Sequence, residues 1–213
     1  MEIEQIINYF DKHKQEIVKK LSANRWRHFR DYFLIQDKFS KGILDENFKN
    51  VFCSFYVING PMGLNDVQKK EFFKLLSSKE NSLEKILKNL YEIPSYGKRS
   101  RLFLSFGTKL LHTIDNTFPI YDRNIAYVLK LTNQASGTFE EKINNRMNIY
   151  KELKNDFALL LKNTIIINHL KKIREEIKNM SGKDDFDWRD NLVSDTKLLD
   201  SSLWAVYDFI KNA

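Results

Sequence analysis

The chain of 213 residues is long enough for one large domain with a substantial core, and its 42% hydrophobic content, including 16 Phe, excludes disorder over most of its length. Only 7 Gly and 3 Pro are present, too few for an all-β protein with many tight turns, so the composition favours helices. The single cysteine, Cys53, excludes an internal disulfide and a multi-cysteine metal site.

The net charge of +7 bears on the partners of the protein. Neutralising phosphates releases counterions, so a basic balance favours a polyanionic partner such as DNA. A general enrichment in Lys, Asn and Ile would give the same charge without that function. The N-terminal segment lacks the apolar centre of a signal peptide, and no apolar run approaches the roughly 18 residues of a membrane span. We therefore expect a cytoplasmic protein with no membrane partner.

Hydrophobic residues recur at intervals of three and four, which predicts a succession of helices. In chain order, the predicted helices cover residues 3–21, 24–39, 48–57, 66–76, 82–93, 98–114, 122–131, 139–180 with a division near 162–164, and 194–210. A break at 59–63 and the N-capping candidates Asn65, Asp66 and Ser82 mark helix ends. The predicted fold is a compact all-α bundle. We predict a single domain (1–213), within which two lobes could form, residues 1–60 with 138–213 and residues 61–137.

Residues 90–131 are the most informative segment. A helix ends near Leu90, a turn containing Gly97 follows, and a second helix is predicted to begin at residue 98, with no acidic residue between 95 and 114. Unpaired backbone N–H groups and the helix dipole make such a helix start an anion site. The predicted phosphate contacts are the backbone of the turn and its basic side chains: Ser95, Tyr96, Gly97, Lys98, Arg99 and Arg101.

Residues 93–101, Ile-Pro-Ser-Tyr-Gly-Lys-Arg-Ser-Arg, resemble the hairpin of helix-hairpin-helix DNA glycosylases, Leu-Pro-Gly-Val-Gly-Arg-Lys-Thr-Ala. In that family, the second hairpin helix is followed by a catalytic Asp at the start of a helix of the form Asp-x-x-Ile/Val-x-Arg-Val. Asp122 and the residues after it have a similar pattern in the same order. Ser95 replaces the first hairpin glycine, and the spacer before Asp122 is longer than usual.

The resemblance implies DNA as the partner and Asp122 as the catalytic residue. In base excision, a carboxylate stabilises the cationic sugar and orients or deprotonates the attacking water. Arg99 occupies the position of the family's Schiff-base lysine, and a guanidinium cannot act as an amine nucleophile, so the resemblance implies a monofunctional enzyme without lyase activity. No four-cysteine iron–sulfur pattern occurs.

The extruded base needs an aromatic or apolar pocket. Phe118, Tyr121 and His112 are the predicted pocket residues because they lie near Asp122 in the chain. His112 could form an acid–base pair with Asp122, or it could be a satisfied buried histidine. Asp122 itself, ahead of an apolar helix, could be only an N-cap.

The remaining motifs give no competing site. No phosphate-binding glycine motif and no paired histidines at metal-ligand spacing occur, so we predict neither cofactor nor metal. The four acids around Trp188 are interpreted as a solvated linker: Asp184, Asp185, Asp187 and Asp190. The sequence therefore predicts a DNA-binding monofunctional N-glycosylase, or else a non-catalytic helical module that binds nucleic acid or protein. It leaves any protein partners open.

Overall fold

The computed structural model describes residues 1–60, 62–98, 100–132, 136–181 and 189–211, with the side chains of all but residues 23–27, 98 and 181. Within these ranges the chain forms nine α-helices and no strand, which confirms the all-α prediction. The helices are α1 (Ile3–Ser40), α2 (Glu46–Phe55), α3 (Asp66–Ser77), α4 (Leu83–Glu92), α5 (Leu104–Ile114), α6 (Arg123–Leu129), α7 (Phe139–Leu160), α8 (Thr164–Ser181) and α9 (Asp195–Lys211). Two short 3-10 helices cover Tyr96–Lys98 and Asp190–Leu192.

Helix α1 is the longest of the described helices. The predicted stretches 3–21 and 24–39 are joined in this single helix of 38 residues, which packs against α8, α2 and α9. Its buried apolar residues lie in two stretches, 6–21 and 29–35, where most recur at helical spacing, so one face of the helix is buried in both. Buried side chains from all nine helices join in one hydrophobic cluster. The division into lobes stays a prediction.

Several predicted helix ends are confirmed by their caps. Asn65 accepts a hydrogen bond from Gln68 N at the start of α3, and Ser82 accepts one from Lys85 N at the start of α4. The long stretch from residue 139 divides between Leu160 and Thr164, within one turn of the predicted position. These ends depend on side-chain bonds to nearby backbone, so short sequence signals are enough to find them.

The predicted start of the second hairpin helix at residue 98 is wrong. Tyr96–Lys98 form a 3-10 turn in which Gly97 has the positive φ (77°) expected of a tight turn, but α5 begins only at Leu104. Phe103 precedes α5 with non-helical angles (φ −90°, ψ 65°), and its ring stacks on Phe106 at 5.4 Å between centroids. Burial of this ring, rather than a capping side chain, sets the start of α5.

The turn that precedes α5 is held by α3. The buried Gln68 side chain donates from Nε2 to Ile93 O (2.8 Å) and Leu90 O (3.3 Å), and Asn65 Nδ2 donates to Pro94 O (2.8 Å). These bonds satisfy carbonyls at and just beyond the end of α4 that have no partner within the helix.

Among the described helices, none has the length and hydrophobicity to cross a bilayer.

The loop between α2 and α3 requires glycine at position 63. A Cβ on Gly63 would lie 1.8 Å from Ile58 O, the atom that accepts a hydrogen bond from Leu64 N (2.9 Å). We expect Gly63→Ala to lower the free energy of unfolding by about 2 kcal/mol, because the backbone must move and lose that bond. Urea denaturation followed by circular dichroism measures the change. Lys70→Ala, on the exposed side of α3, should change it by less than about 0.5 kcal/mol; equal stability of the two variants would contradict this account.

Candidate functional site

A cavity of about 450 Å³ lies between α9, the start of α6 and the end of α2. Two lysines and two aspartates line it: Lys109, Lys197, Asp122 and Asp200. Four aromatic rings contribute to its walls: His28, Phe55, Tyr56 and Trp204. Val57 also lines it, with 73% of its surface exposed and a positive φ (52°) that is strained for a β-branched residue. Strain of this kind is concentrated at functional sites.

Asp122 caps α6, as one interpretation of the sequence predicted, and it also lines the cavity. Its Oδ1 accepts a hydrogen bond from Asn124 N (2.8 Å), which caps α6, and the same side chain lines the cavity. Burial raises the pKa of the Asp122 carboxyl, while the bond from Asn124 and the charge of Lys109 oppose that shift. The capping bond therefore fixes the carboxylate without removing it from the cavity.

Lys109 lines the cavity, although the sequence predicted no role for it beyond membership of the basic cluster with Lys98, Arg99 and Arg101. Its Nζ donates to Tyr56 O (3.0 Å) and lies 5.2 Å from the centroid of the Phe106 ring. Burial lowers the pKa of Lys109 to about 8, against the attraction of Asp122 and Asp200. In the sequence it is only one more lysine in a basic segment, and nothing local distinguishes it.

A second pair of charges lies on α9. Lys197 Nζ and Asp200 Oδ2 are 2.6 Å apart, and the two side chains are only 3% and 4% exposed. Asp200 Oδ1 and the hydroxyl of the neighbouring Ser201 are buried and have no hydrogen-bond partner among the described residues. Asp200 and Trp204 lie four residues apart on α9, and both line the cavity.

His112 is a satisfied buried histidine and not a partner of Asp122. Its Nδ1 lies 2.6 Å from Phe118 O, and its Nε2 lies 2.8 Å from the hydroxyl of Tyr32. Burial lowers the pKa of His112 to about 4. The ring is therefore neutral at pH 7, with Nδ1–H donating to the carbonyl and Nε2 accepting from the tyrosine.

The other predicted pocket residues lie outside the cavity. Phe118 is partly buried and offers its carbonyl to His112, while Tyr121 lines a separate cleft of about 230 Å³ beside Arg146. Tyr121 N donates to Thr108 Oγ1 (3.0 Å). His112 and Thr108 thus tie the segment before Asp122 to α5. The predicted pocket residues position the acid rather than line the site.

The predicted phosphate-binding residues also lie apart from the cavity, since none of those described lines it. Ser95 is buried, whereas Tyr96 (45% exposed) and Gly97 are at the surface. Arg101 is partly buried, with Nη1 3.6 Å from Met62 Sδ. The Lys98 side chain and Arg99 lie outside the described residues. The described residues of the turn therefore do not line the cavity together with Asp122, as the sequence had suggested.

Comparison with known proteins found no matching family model, and no curated protein or solved structure matched the chain.

In the part of the chain that the structure describes, no three His, Cys, Asp or Glu side chains are grouped as metal ligands. Of the four acids around Trp188, only Asp190 is described, and it begins the second 3-10 helix. Asp184, Asp185, Asp187 and Trp188 itself lie outside the described residues.

The buried neutral His112 predicts acid sensitivity. Because its pKa in the folded state (about 4) is below the ordinary value of 6.5, its contribution to stability is complete above pH 6.5 and is lost as the pH falls towards 4. We expect the unfolding free energy of the wild type to fall through this window, by up to about 1.4 kcal/mol per pH unit for this group. His169, with a pKa also lowered to about 4 by burial, adds to the same slope.

Chemical denaturation from pH 4 to 7 measures this slope. His112→Asn should flatten it in addition to lowering stability at pH 7, since Tyr32 and Phe118 lose their partner. Gln15→Ala, at an exposed side chain that does not titrate, is the control and should keep the full slope. A slope unchanged in His112→Asn would show that the histidine is not buried in the neutral form.

Proposed function

We propose that this protein is a DNA-binding N-glycosylase that uses Asp122 as its single catalytic carboxylate. The observation that carries the proposal is that the Asp122 side chain lines an aromatic-walled cavity while its capping bond holds it in place. The volume of about 450 Å³ is within the range of roughly 300–1,000 Å³ of small-molecule sites. It is suited to one nucleotide extruded from a duplex, whose base would lie against aromatic side chains.

Hydrolysis of an N-glycosidic bond suits the groups in this cavity. Water oxygen bonds to the anomeric carbon, the carbon–nitrogen bond breaks, and the base leaves with the electron pair. The Asp122 carboxylate stabilises the positive charge that develops on the sugar and accepts the proton of the water. Its raised pKa makes it a stronger base than an exposed carboxylate. Lys109 is the cation in the same cavity that would stabilise negative charge on the departing base.

Two features support DNA as the substrate. The net charge of +7 favours a phosphate backbone, and residues 90–131 resemble the hairpin and catalytic segment of helix-hairpin-helix glycosylases. The exposed Tyr96 and Gly97 would bring backbone N–H groups to a phosphate. Lys98, Arg99 and Arg101 would add charge, whereas the buried Ser95 side chain would take no part. Arg99 keeps the proposed enzyme monofunctional.

Asp122→Asn separates catalysis from capping, because Asn is as good an N-cap as Asp. We expect it to keep the fold and DNA affinity but to lower the rate of base release by about 100-fold or more, since the carboxylate charge is lost. The assay is base release from duplexes carrying a panel of damaged bases, measured under single-turnover conditions.

Asp45→Asn is the matched control. Asp45 also caps a helix through its side chain, accepting from Phe48 N (2.7 Å), but it does not line the cavity. Its variant should release base at the wild-type rate. Absence of base release from every duplex, with wild type and both variants folded, would refute the glycosylase proposal.

A non-catalytic nucleic-acid-binding module is the second candidate, and the capping bond of Asp122 favours it because that bond alone explains the residue. In both candidates the basic turn binds DNA. We expect the triple variant Lys98→Ala, Arg99→Ala, Arg101→Ala to bind duplex DNA about tenfold more weakly or worse, with the slope of log affinity against log salt reduced by about 3.

Lys151, Lys171 and Lys172 supply the control for this binding measurement. They are exposed on α7 and α8, and their triple alanine variant removes the same charge. Fluorescence anisotropy at several salt concentrations compares the two triple variants. Equal losses would show that the attraction comes from overall charge and not from the turn, and no binding at low salt would exclude both candidates.

A further inference from the structure

Val57 has a backbone conformation that suits glycine better than valine. It lies two residues after α2 with φ 52°, and its N–H donates to Ser54 O (3.3 Å). The next N–H, that of Ile58, donates to Cys53 O (2.9 Å). This pair of bonds is a Schellman motif, in which the residue with left-handed backbone is usually glycine. A β-branched residue is the least suited to that backbone, so glycine at position 57 would give a more stable protein.

Packing does not compensate Val57 for this strain. Its surface is 73% exposed, although its neighbours Tyr56 and Ile58 are 4% and 0% exposed. Among the described residues, the other non-glycine residues with positive φ are Lys79 and Lys130, which are not branched at Cβ and do not line the cavity. Only Val57 combines a β-branched side chain, left-handed backbone and a place on the cavity wall. Stability of the fold therefore does not account for a valine at this position.

The position of Val57 indicates what it can contact. A residue that lines the cavity and is largely exposed lies at the mouth of the cavity. The same loop carries Met62, which is 76% exposed and whose Sδ lies 3.6 Å from Arg101 Nη1. The loop thus extends from the cavity to the basic side chains after the turn. DNA that placed a nucleotide in the cavity and its backbone on the turn would cover these exposed apolar side chains.

We propose that Val57 contacts the bases of the duplex at the mouth of the cavity and occupies the space that an extruded nucleotide leaves. This inference rests on the proposed function, which supplies DNA as the ligand. Proteins that distort DNA insert apolar side chains between base steps, where they replace lost stacking. The strain at position 57 is then the cost in stability of a residue kept for binding.

The backbone around Val57 is held firmly enough for this contact. Lys109 Nζ donates to Tyr56 O (3.0 Å), on one side of the valine. On the other side, Ile58 O accepts from Leu64 N (2.9 Å). These bonds involve no atom of Val57, so a substitution at position 57 changes the exposed side chain and leaves the loop in place.

The first measurement is urea denaturation of the full chain with Val57→Gly. Glycine adopts the left-handed conformation without strain, so we expect the urea midpoint to rise by about 0.3 M or more. This expectation is opposite to that for most substitutions, which destabilise. A midpoint equal to or below that of the wild type would show that valine carries no cost here and would overturn the inference.

The second measurement compares one DNA duplex in two forms, intact and with a tetrahydrofuran abasic site, by fluorescence anisotropy. The abasic form already contains the gap, so Val57 reaches it without the cost of extruding a base. We expect the wild type to bind the abasic form about tenfold more tightly or better, and Val57→Gly to reduce this preference to less than about threefold. No preference in the wild type, an unchanged preference in Val57→Gly, or no binding of either form would overturn the inference.

Further variants separate the apolar contact from side-chain volume and from the backbone. Val57→Asn is of similar size and tolerates left-handed backbone, but it is polar and should lose the preference as Val57→Gly does. Lys79→Gly places glycine at another left-handed position (φ 54°), and Val67→Asn makes the polar change at a valine that is 61% exposed and outside the cavity. Both controls should keep the wild-type preference. Its loss in either control would contradict the assignment to Val57.

The outcomes separate this inference from the proposed function, because an abasic site has no base to release. A preference for the abasic duplex that depends on Val57, with no base release from any duplex, would support the contact and reject the glycosylase. Base release that depends on Asp122, with the same preference in wild type and Val57→Gly, would support the glycosylase and reject the contact.

Discussion

The buried ion pair between Lys197 and Asp200 is the interaction on which the cavity depends. Two charges have been removed from water at a high desolvation cost, which their contact at 2.6 Å must offset. The ammonium nitrogen also lies 5.3 Å from the Tyr32 ring centroid and 5.7 Å from that of Phe55. The pair therefore fixes α9 against α1 and the end of α2. Loss of either partner would leave a lone charge in the core and disturb three walls of the cavity at once.

Tyr32 connects this ion pair to the segment that precedes Asp122, the proposed catalytic residue. Its hydroxyl bonds to His112, whose other ring nitrogen bonds to the carbonyl of Phe118, four residues before Asp122. Thr108 holds the same segment nearer its end through Tyr121 N. Asp122 is thus positioned from both sides, by this segment and by its bond to Asn124. The two interpretations of the acid, cap and cavity residue, are compatible because the cap uses only Oδ1.

The sequence was sufficient to predict structural features that depend on residues close together in the chain. Ser82 and Asp122 act as caps through bonds to backbone two or three residues away, which a short pattern reveals. The start of α5 depends instead on burial of Phe103, and the role of His112 on Tyr32, eighty residues earlier in the chain. Lys197 and Asp200 at spacing i, i+3 are typical of an exposed helical ion pair, so only the packed fold shows that they are buried. The hairpin resemblance predicted a role for Asp122, which lines the cavity, but none for the lysines and the second aspartate that line it as well.

Burial shifts the pKa values of the two cavity residues that form no close ion pair, Asp122 and Lys109, in opposite directions. It raises the pKa of Asp122 and lowers that of Lys109 to about 8, so both are ionised only between the raised value of the acid and about pH 8. In that interval the four charges lining the cavity cancel, although the chain as a whole carries +7. The attraction of DNA that we propose would therefore come from charges on the surface, where salt screens them. Inside the cavity, this neutrality would leave the selection of a ligand to shape and to the directions of hydrogen bonds, which depend little on salt.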